Sequence, residues 1–397
     1  MKPVVGRTSY AARVSCRPVC VLSLRLSFLV LLLSALVPRA GQAAAGRTSM
    51  DFLKINASPR SLAMGETGAG LSDDAMSATY MNPAGIARLV YPEASFSYNL
   101  WVEDISLQHF SYAHPTRTWG SFGVSGTVLQ VKKFEGYDNS GNRVGDVKAM
   151  DFAVKPVYAR RILGPANDLR YGVFLGAAFK FAREELDTIR TNASMADAGC
   201  LAMYPLGPGV FGFGGAALSL GRTNRFDIQR DKPAALYRMG LSYTLPVFGD
   251  PFVLAGDVKM PVYDEFSYSA GLEYGLKRIL FVRGGFISRQ AQGQGWRVGL
   301  GIKAKFLQID YAISEYGKWG YSHLMGLSVK FGEPIDVTPA RTPNQEKAFK
   351  LIRRAKEFFK ESRHYEAALS LNEALDLDPN NREALSLLRE VRDALER

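Results

Sequence analysis

The sequence has few of the residues that bind metals, form disulfides or serve as nucleophiles in common motifs. Among 397 residues there are three cysteines and four histidines. The H-E-x-x-H, C-x-x-C and G-x-S-x-G motifs do not occur. Cys16 and Cys20 lie in a segment expected to be removed on export, so Cys200 has no partner for an intrachain disulfide. We therefore expect a protein that is not an enzyme and uses no cofactor or metal.

Long apolar runs are missing as well. The longest, Leu26–Val37, has 12 residues, whereas a membrane-spanning helix needs about 20. This run follows basic residues and precedes Ala43–Ala45, an order typical of a secretory signal peptide over residues 1–45 rather than of a membrane anchor. The leader holds six Lys or Arg and no acid, so +5 of the net charge of +11 belongs to the rest. No basic patch is interleaved with aromatic residues, which argues against a nucleic-acid partner.

Residues 91–331 contain a series of segments with a period of two. In Trp296–Phe306, apolar residues at even positions alternate with glycine, arginine and lysine at odd positions. Such one-sided apolar strands of about 9–11 residues are typical of transmembrane β-barrels. The pattern predicts an all-β membrane protein, a barrel of about 14 antiparallel strands in the bacterial outer membrane. We place the strands near 93–102, 106–113, 120–134, 148–162, 169–184, 195–205, 210–221, 234–245, 251–260, 266–275, 278–288, 295–306, 307–315 and 321–331.

The connections between these segments differ in length. If the last strand ends in the periplasm, the links at 132–148 and 185–194 face outward and are long. Links on the other side, such as 205–209 and 275–277, are short. Long outer loops and short periplasmic turns are the bacterial pattern. The glycine-rich stretch 212–215 lacks the lysine of a phosphate loop and is interpreted as a bend in the wall.

Charged residues fall on the non-lipid face of the predicted strands. The tight turn at Phe306–Leu307 predicts that Lys303 lies opposite Asp310 as a cross-strand pair of opposite charge. These charges could fill the lumen with salt bridges or orient a ligand. The predicted lumenal charges are Arg238, Glu273, Arg283, Arg297, Lys303, Asp310 and Lys330.

Residues 46–90 are rich in glycine, alanine and serine and show no strand alternation. We predict a hatch that threads the lumen, with a loose periplasmic lead-in as the alternative. Ser72 is the predicted cap of a short helix that ends before Pro83. The hatch positions singled out are Gly65, Gly68, Gly70, Asp73 and Asp74, and the motif Asn82, Pro83, Ala84 and Gly85.

The order of these motifs resembles a known family. Phe52–Ile55, Arg60 and Ala63–Gly65, followed by Asp73–Ala75 and Asn82–Gly85, are similar to the PorV/PorQ branch of the FadL-like outer-membrane proteins. The resemblance spans residues 52–331 and implies a 14-stranded barrel with its hatch in the lumen. It implies a part in protein secretion for the PorV/PorQ branch, and sideways release of hydrophobic ligands through the wall for the fatty-acid transporters. Only Asn82, Pro83 and Ala84 carry over residue by residue.

The C-terminal part changes character after a proline-rich linker at 332–344. Residues 345–397 show helical periodicity, and their spacing resembles one tetratricopeptide repeat with a capping helix. The expected packing positions are Phe358, Ala367, Ala374 and Pro379. This periplasmic tail could bind a peptide in a groove or dock on the barrel rim.

The last predicted strand ends in Gly326-x-x-Val329-x-Phe331, which resembles the signal read by barrel-assembly machinery. The expected partners are outer-membrane lipid and that machinery, and the expected state is a monomer. Two functions remain open. One is a PorV/PorQ-like factor that contacts secreted proteins through the tail, and the other is a FadL-like channel for long-chain fatty acids or other hydrophobic small molecules.

Overall fold

The computed structural model describes residues 48–138, 140–165, 168–187, 189–224, 232–288, 293–335, 343–379 and 381–395. The predicted signal peptide and most of the predicted linker lie outside the described residues. Within them, 14 antiparallel strands form a closed barrel, which confirms the predicted fold class. The strands are β2 (Glu93–Leu100), β3 (Ile105–Thr116), β4 (Gly120–Tyr137), β5 (Arg143–Leu163), β6 (Gly172–Leu186), β7 (Ile189–Leu206), β8 (Gly209–Thr223), β10 (Leu236–Val247), β11 (Asp250–Pro261), β12 (Ser267–Leu276), β13 (Leu280–Ile287), β14 (Trp296–Ala304), β15 (Leu307–Glu315) and β16 (Tyr321–Lys330). Two short strands, β1 (Thr48–Ser49) and β9 (Lys232–Pro233), pair in parallel as a separate two-stranded sheet.

The barrel closes where its last strand meets its first. In the pairing of β16 with β2, Lys330 lies opposite Glu93. We call this end of the barrel the lower rim and the opposite end the upper rim. Five of the lower-rim turns have only two or three residues between strands, at 117–119, 207–208, 248–249, 277–279 and 305–306. Short turns on one side are what the sequence led us to expect.

The two faces of the wall differ in polarity. In β14 the outward side chains of Trp296, Val298, Leu300 and Ile302 are more than half exposed, whereas the inward Arg297 is 3% exposed. Exposed aromatic side chains also gather at both rims. At the lower rim these are Trp119, Tyr204, Phe248 and Phe306, and at the upper rim Phe266, Tyr268, Trp296 and Tyr321. An apolar band between two aromatic girdles is the surface of a barrel that contacts lipid.

Two hairpins at the upper rim differ from the sequence-based expectation. The link predicted over 132–148 is mostly strand, because β4 and β5 continue to Tyr137 and Arg143. The ladder shifts register between Val131 and Phe134 and continues to the pair of Tyr137 and Arg143. The link predicted over 185–194 is a tight turn, since β6 and β7 stay paired up to Leu186 and Ile189. Charged residues can therefore belong to a hairpin where a loop was predicted.

The segment from Thr48 to Pro92 fills the lumen and is called the plug here. It contains 3-10 turns at Asp51–Lys54 and Pro83–Arg88 and the short helices α1 (Pro59–Ala63) and α2 (Ala75–Met81). It begins near the upper rim, where the backbone N–H of Met50 donates to Glu184 (2.6 Å), and it leads into β2 at the lower rim. Almost every residue between Asn56 and Ala87 is buried.

The cap of α2 is not the predicted residue. Asp74 is the N-cap, and its carboxylate accepts the backbone N–H of Ser77 at 2.7 Å. Ser72 instead has a φ of 32° and donates its hydroxyl to the carbonyl of Gly68 at 2.7 Å. Aspartate is as good a helix cap as serine, so the local sequence alone did not separate the two.

The C-terminal helices form a separate compact unit. The helices are α3 (Pro343–Lys360), α4 (His364–Leu377) and α5 (Arg382–Leu395). Their core includes Ile352, Ala367, Leu371, Ala374 and Val391. None of the helices in the described part of the chain has the length and apolarity required to span a bilayer.

Candidate functional site

Arg60 of the plug is the centre of a buried ion-pair cluster. Its guanidinium donates two hydrogen bonds to the carboxylate of Glu273 in β12, at 2.8 and 2.7 Å. It also pairs with Asp73, which lies further along the plug. Arg283 in β13 joins the cluster, since it donates to both Glu273 and Asp310 at 2.6 Å. A two-pronged arginine–carboxylate pair fixes geometry as well as charge, so this cluster sets the position of α1 against the wall.

Glu66 forms a second cluster on the same side of the barrel. Its carboxylate pairs with Lys259 of β11 and Arg297 of β14, and Arg238 of β10 donates to its backbone carbonyl at 2.9 Å. Burial of Glu66 disfavours the charged form, but Arg297 and Lys259 outweigh it, and the pKa of Glu66 falls to about 2. Glu66 is therefore a carboxylate that three strands hold from inside the barrel.

The side chain of Asp257 in β11 binds backbone groups of the plug. One carboxylate oxygen accepts the N–H groups of Gly68 and Ala69 at 3.1 and 3.0 Å. The hydroxyl of Ser242 donates to the carbonyl of Gly70 at 2.7 Å. Polar groups of the wall thus satisfy the backbone of a segment that has no regular secondary structure.

The motif Asn82–Gly85 lies against strands β7 and β8. The side-chain amide of Asn82 donates to the carbonyls of Ala69 and Cys200, both at 2.9 Å. Its oxygen accepts the N–H of Ala84 at 3.2 Å. The motif therefore joins two turns of the plug to one place on the wall, the carbonyl of Cys200.

Glycines of the wall provide the space for this close approach. A Cβ at Gly199 would lie 2.8 Å from Cδ of Pro83, and one at Gly214 would collide with the carbonyl oxygen of Ala69. A Cβ at Gly271 in β12 would lie 2.7 Å from Cβ of Met64. Gly212 and Gly214 lie in a regular ladder with β10, so the predicted bend at 212–215 is wrong. Glycine at these positions leaves room for the plug to lie directly against the backbone of the wall.

The outer side of the wall at β7, β8 and β10 carries an apolar depression of about 410 Å³. Small residues form its floor, and the β7–β8 ladder shifts register nearby, between Ala196 and Ala198. Ser219, on the bulged strand, has a φ of 57°. The outward side chains around the depression are Ala198, Cys200, Ala217, Leu220, Tyr237, Met239 and Met260. The depression therefore lies directly outside the part of the wall that Asn82 contacts from inside.

The predicted charges all lie on the inner face, but one predicted pair is wrong. Lys303 is opposite Gln308, and Asp310 is opposite Gly301. The two-residue turn at 305–306, in which Lys305 has a φ of 51°, shifts the register by two from the prediction. A Cβ at Gly301 would be 2.8 Å from the nitrogens of Arg283. Because Gly301 has no side chain, Arg283 reaches across β14 to Asp310.

Other predicted positions lie near the lower rim, where β16 meets β2. Lys330 lies 3.5 Å from the carboxylate of Glu93. A Cβ at Gly326 would be 2.7 Å from Cγ of Pro59, so Gly326 also borders the plug. Phe331 stacks on Tyr112 with ring centroids 6.0 Å apart. The assembly signal formed by Gly326, Val329 and Phe331 stays a prediction.

The predicted packing positions of the tail lie in the C-terminal helical unit. Ala367 and Ala374 are fully buried in the helical unit, and Phe358 packs against that core. Pro379 follows the end of α4 at Leu377. The likeness to a tetratricopeptide repeat stays a prediction.

Sequence reasoning missed several inward charges. These are Glu66 in the plug and Lys155, Lys180, Asp197, Asp257 and Lys259 in the wall, all buried. A signal existed for the pair in β11, where Asp257 and Lys259 alternate with apolar neighbours at the period of a strand. No cluster of three or more metal-binding side chains occurs among the residues that the structure describes.

No protein-family model matches the sequence, and no curated protein matches it. Among solved structures, the toluene transporter TodX of P. putida is similar at 13% identity with a TM-score of 0.48, over 69% of this chain and 98% of that chain. A Pseudomonas aeruginosa FadL homologue is similar at 11% identity with a TM-score of 0.41, over 70% and 98%. CdiB from Acinetobacter baumannii is similar at 12% identity with a TM-score of 0.34, over 60% of each chain. The matched region thus spans less than two thirds of CdiB.

Proposed function

We propose that the protein is an integral barrel of the bacterial outer membrane that transports hydrophobic small molecules and releases them sideways between β7 and β8. The apolar outer face and the two aromatic girdles support the location in a membrane. The short turns of the lower rim support a periplasmic lower rim. The C-terminal helices follow β16, which ends at that rim, so we place them in the periplasm.

The observation that carries this proposal is the alignment of the plug motif with the outer depression. Asn82 binds the carbonyl of Cys200 from the lumen, and the side chain of Cys200 lines the apolar depression outside. Between the two lies a wall of glycine and alanine with an irregular ladder. A shift of the plug would expose the part of the wall that consists of glycine and alanine and borders the apolar depression on the outside. A molecule without charge could move from there into the lipid without crossing water.

A disulfide between β7 and β8 tests this route. Cys200 is directly opposite Gly215, and a Cβ at Gly215 would be 3.5 Å from Sγ of Cys200. We expect Gly215→Cys to form a disulfide with Cys200 that staples the two strands across the depression. In liposomes, uptake of a fluorescent long-chain fatty acid should fall to about a tenth or less on oxidation, because β7 and β8 can no longer separate. Uptake should recover when a reductant is added.

The control is a disulfide on another part of the wall. Gly256 and Ala270 are opposite each other on β11 and β12 and face outward. In a Cys200→Ser background, Gly256→Cys with Ala270→Cys should leave uptake unchanged on oxidation. Equal uptake by the oxidised and reduced forms of the Gly215→Cys variant would contradict release between β7 and β8.

A second candidate function is the PorV/PorQ-like role in protein secretion. It is favoured by the helical unit, which has its own core and is not needed to close the barrel. Deletion of residues 341–397 should then abolish the co-purification of exported proteins while the barrel stays folded. Full-length protein with Leu369→Ala, a change at an exposed position of α4, serves as a milder test of the same surface. An unchanged set of partners after the deletion would argue against this role.

A further inference from the structure

A small cavity lies between the plug and the wall toward the upper rim. Its volume is about 30 Å³, which exceeds the about 10–15 Å³ that one water needs. Tyr80 and Lys54 of the plug border one side, and Lys155, Lys180 and Arg238 of the wall border the other. No aspartate or glutamate is among the described residues that line it. Four cationic side chains therefore border the cavity, together with apolar ones such as Leu218 and Leu236.

The carboxylate nearest to these lysines is shared between them. Asp197 of β7 lies 3.0 Å from Lys155 and 3.2 Å from Lys180, and its side chain is fully buried. It also accepts the backbone N–H of Ser219 at 2.7 Å. The two lysine side chains are 7% and 8% exposed. Among the described residues, these two buried ammonium groups share one carboxylate, so one positive charge has no counter-charge there, which is costly away from water.

Two further buried nitrogen atoms at the cavity have no hydrogen-bond partner within the described residues. His109, 2% exposed, uses Nδ1 in a contact of 2.8 Å with the hydroxyl of Thr127, while its Nε2 has no partner in the described part of the chain. Nε of Arg238 is likewise buried without a partner there. The hydroxyls of Ser125 and Tyr80 also line the cavity, and that of Tyr80 donates to the carbonyl of Leu53 at 3.1 Å. Nε of Arg238 is thus an unused donor of the wall beside the same space as the two lysines.

We propose that this cavity is a binding site for a small monovalent inorganic anion of the size of chloride. The anion supplies the missing negative charge between Lys155 and Lys180 and accepts hydrogen bonds from the surrounding donors. Since the cavity lies between plug and wall, a bound anion contacts both and stabilises the plugged state by mass action. This site is independent of the transport route proposed above.

Bromide tests the site in the wild-type protein. Crystals of the full barrel grown in sodium bromide should show an anomalous difference peak inside the cavity, in contact with the ammonium groups of Lys155 and Lys180. The midpoint of thermal unfolding should also be higher in chloride than in gluconate at equal ionic strength. A cavity without an anomalous peak, or bromide found on the outer surface alone, would overturn the proposal.

Two variants test the charge argument. Ser125→Asp places a tethered carboxylate in the cavity, so both the bromide peak and the chloride effect should be lost while the barrel still folds. Lys180→Met removes the excess cation and should also abolish the peak. Lys303→Met, which removes a lysine elsewhere on the inner face, should retain it. Persistence of the peak in Ser125→Asp would contradict the site, and the wild-type crystals decide the matter if that variant fails to fold.

Discussion

Replacing Glu66 with glutamine will loosen the plug while the barrel stays closed. The change leaves Lys259, Arg297 and Arg238 buried around a neutral side chain. Removal of one partner from a buried ion pair costs about 3–5 kcal/mol. The population with a displaced plug should rise by about a hundredfold or more. Trypsin should then cleave at plug sites such as Arg60 and Arg88 correspondingly faster.

Two controls separate the plug from the barrel. Glu185→Gln breaks an ion pair with Arg183 and Arg190 near the upper rim, where exposed pairs contribute about 0.2–1 kcal/mol. It should leave plug cleavage almost unchanged. Glu66→Gln combined with Lys259→Met should recover part of the loss, because it removes one unpaired cation. Unaltered cleavage in the Glu66→Gln variant would mean that this cluster does not hold the plug.

Adding one methyl group at Gly271 will also weaken the contact between plug and wall. The Cβ of Gly271→Ala would collide with the carbonyl oxygen of Met64 and lie 2.7 Å from its Cβ. Because backbone atoms cannot turn aside as a flexible side chain can, the plug or the strand must shift. Overpacking of this kind costs typically about 1–3 kcal/mol. We expect a lower free energy of unfolding in urea and a faster tryptic cleavage of the plug.

The matched control is Gly284→Ala on the neighbouring strand. A Cβ at Gly284 meets no atom within 4 Å. The substitution should therefore change stability by at most about 0.5 kcal/mol. Equal losses in the two variants would show that the effect comes from the strand backbone and not from the approach of Met64.

The barrel itself could be predicted from the sequence because a lipid-facing strand has to alternate. Each of the 14 predicted strands overlaps a strand of the structure, and the error was in the hairpin ends of β4 to β7. Those ends carry charged residues such as Glu135, Asp146 and Glu185, yet these residues pair in the ladders. Charge alone did not distinguish a loop from the end of a strand.

The plug could be recognised from its composition but not positioned by it. Small residues at high density indicated a segment that approaches other backbone closely, and the structure places Gly65 and Gly70 against the wall. Nothing local indicated that Glu66 would meet Lys259 and Arg297, which are about two hundred residues away in the chain. That information lies in which strands come together when the cylinder closes.

The sequence by itself determined the approximate number of strands and the face that each turns to lipid, since both follow from local periodicity, and its small residues indicated a hatch. The tertiary structure alone decided which charges meet. Asp310 pairs with Arg283 and not with Lys303, because Gly301 leaves room above β14 for an arginine to cross. Strand register and the distance that a side chain can span are properties of neighbouring strands together. Neither can be inferred from the sequence of a single strand.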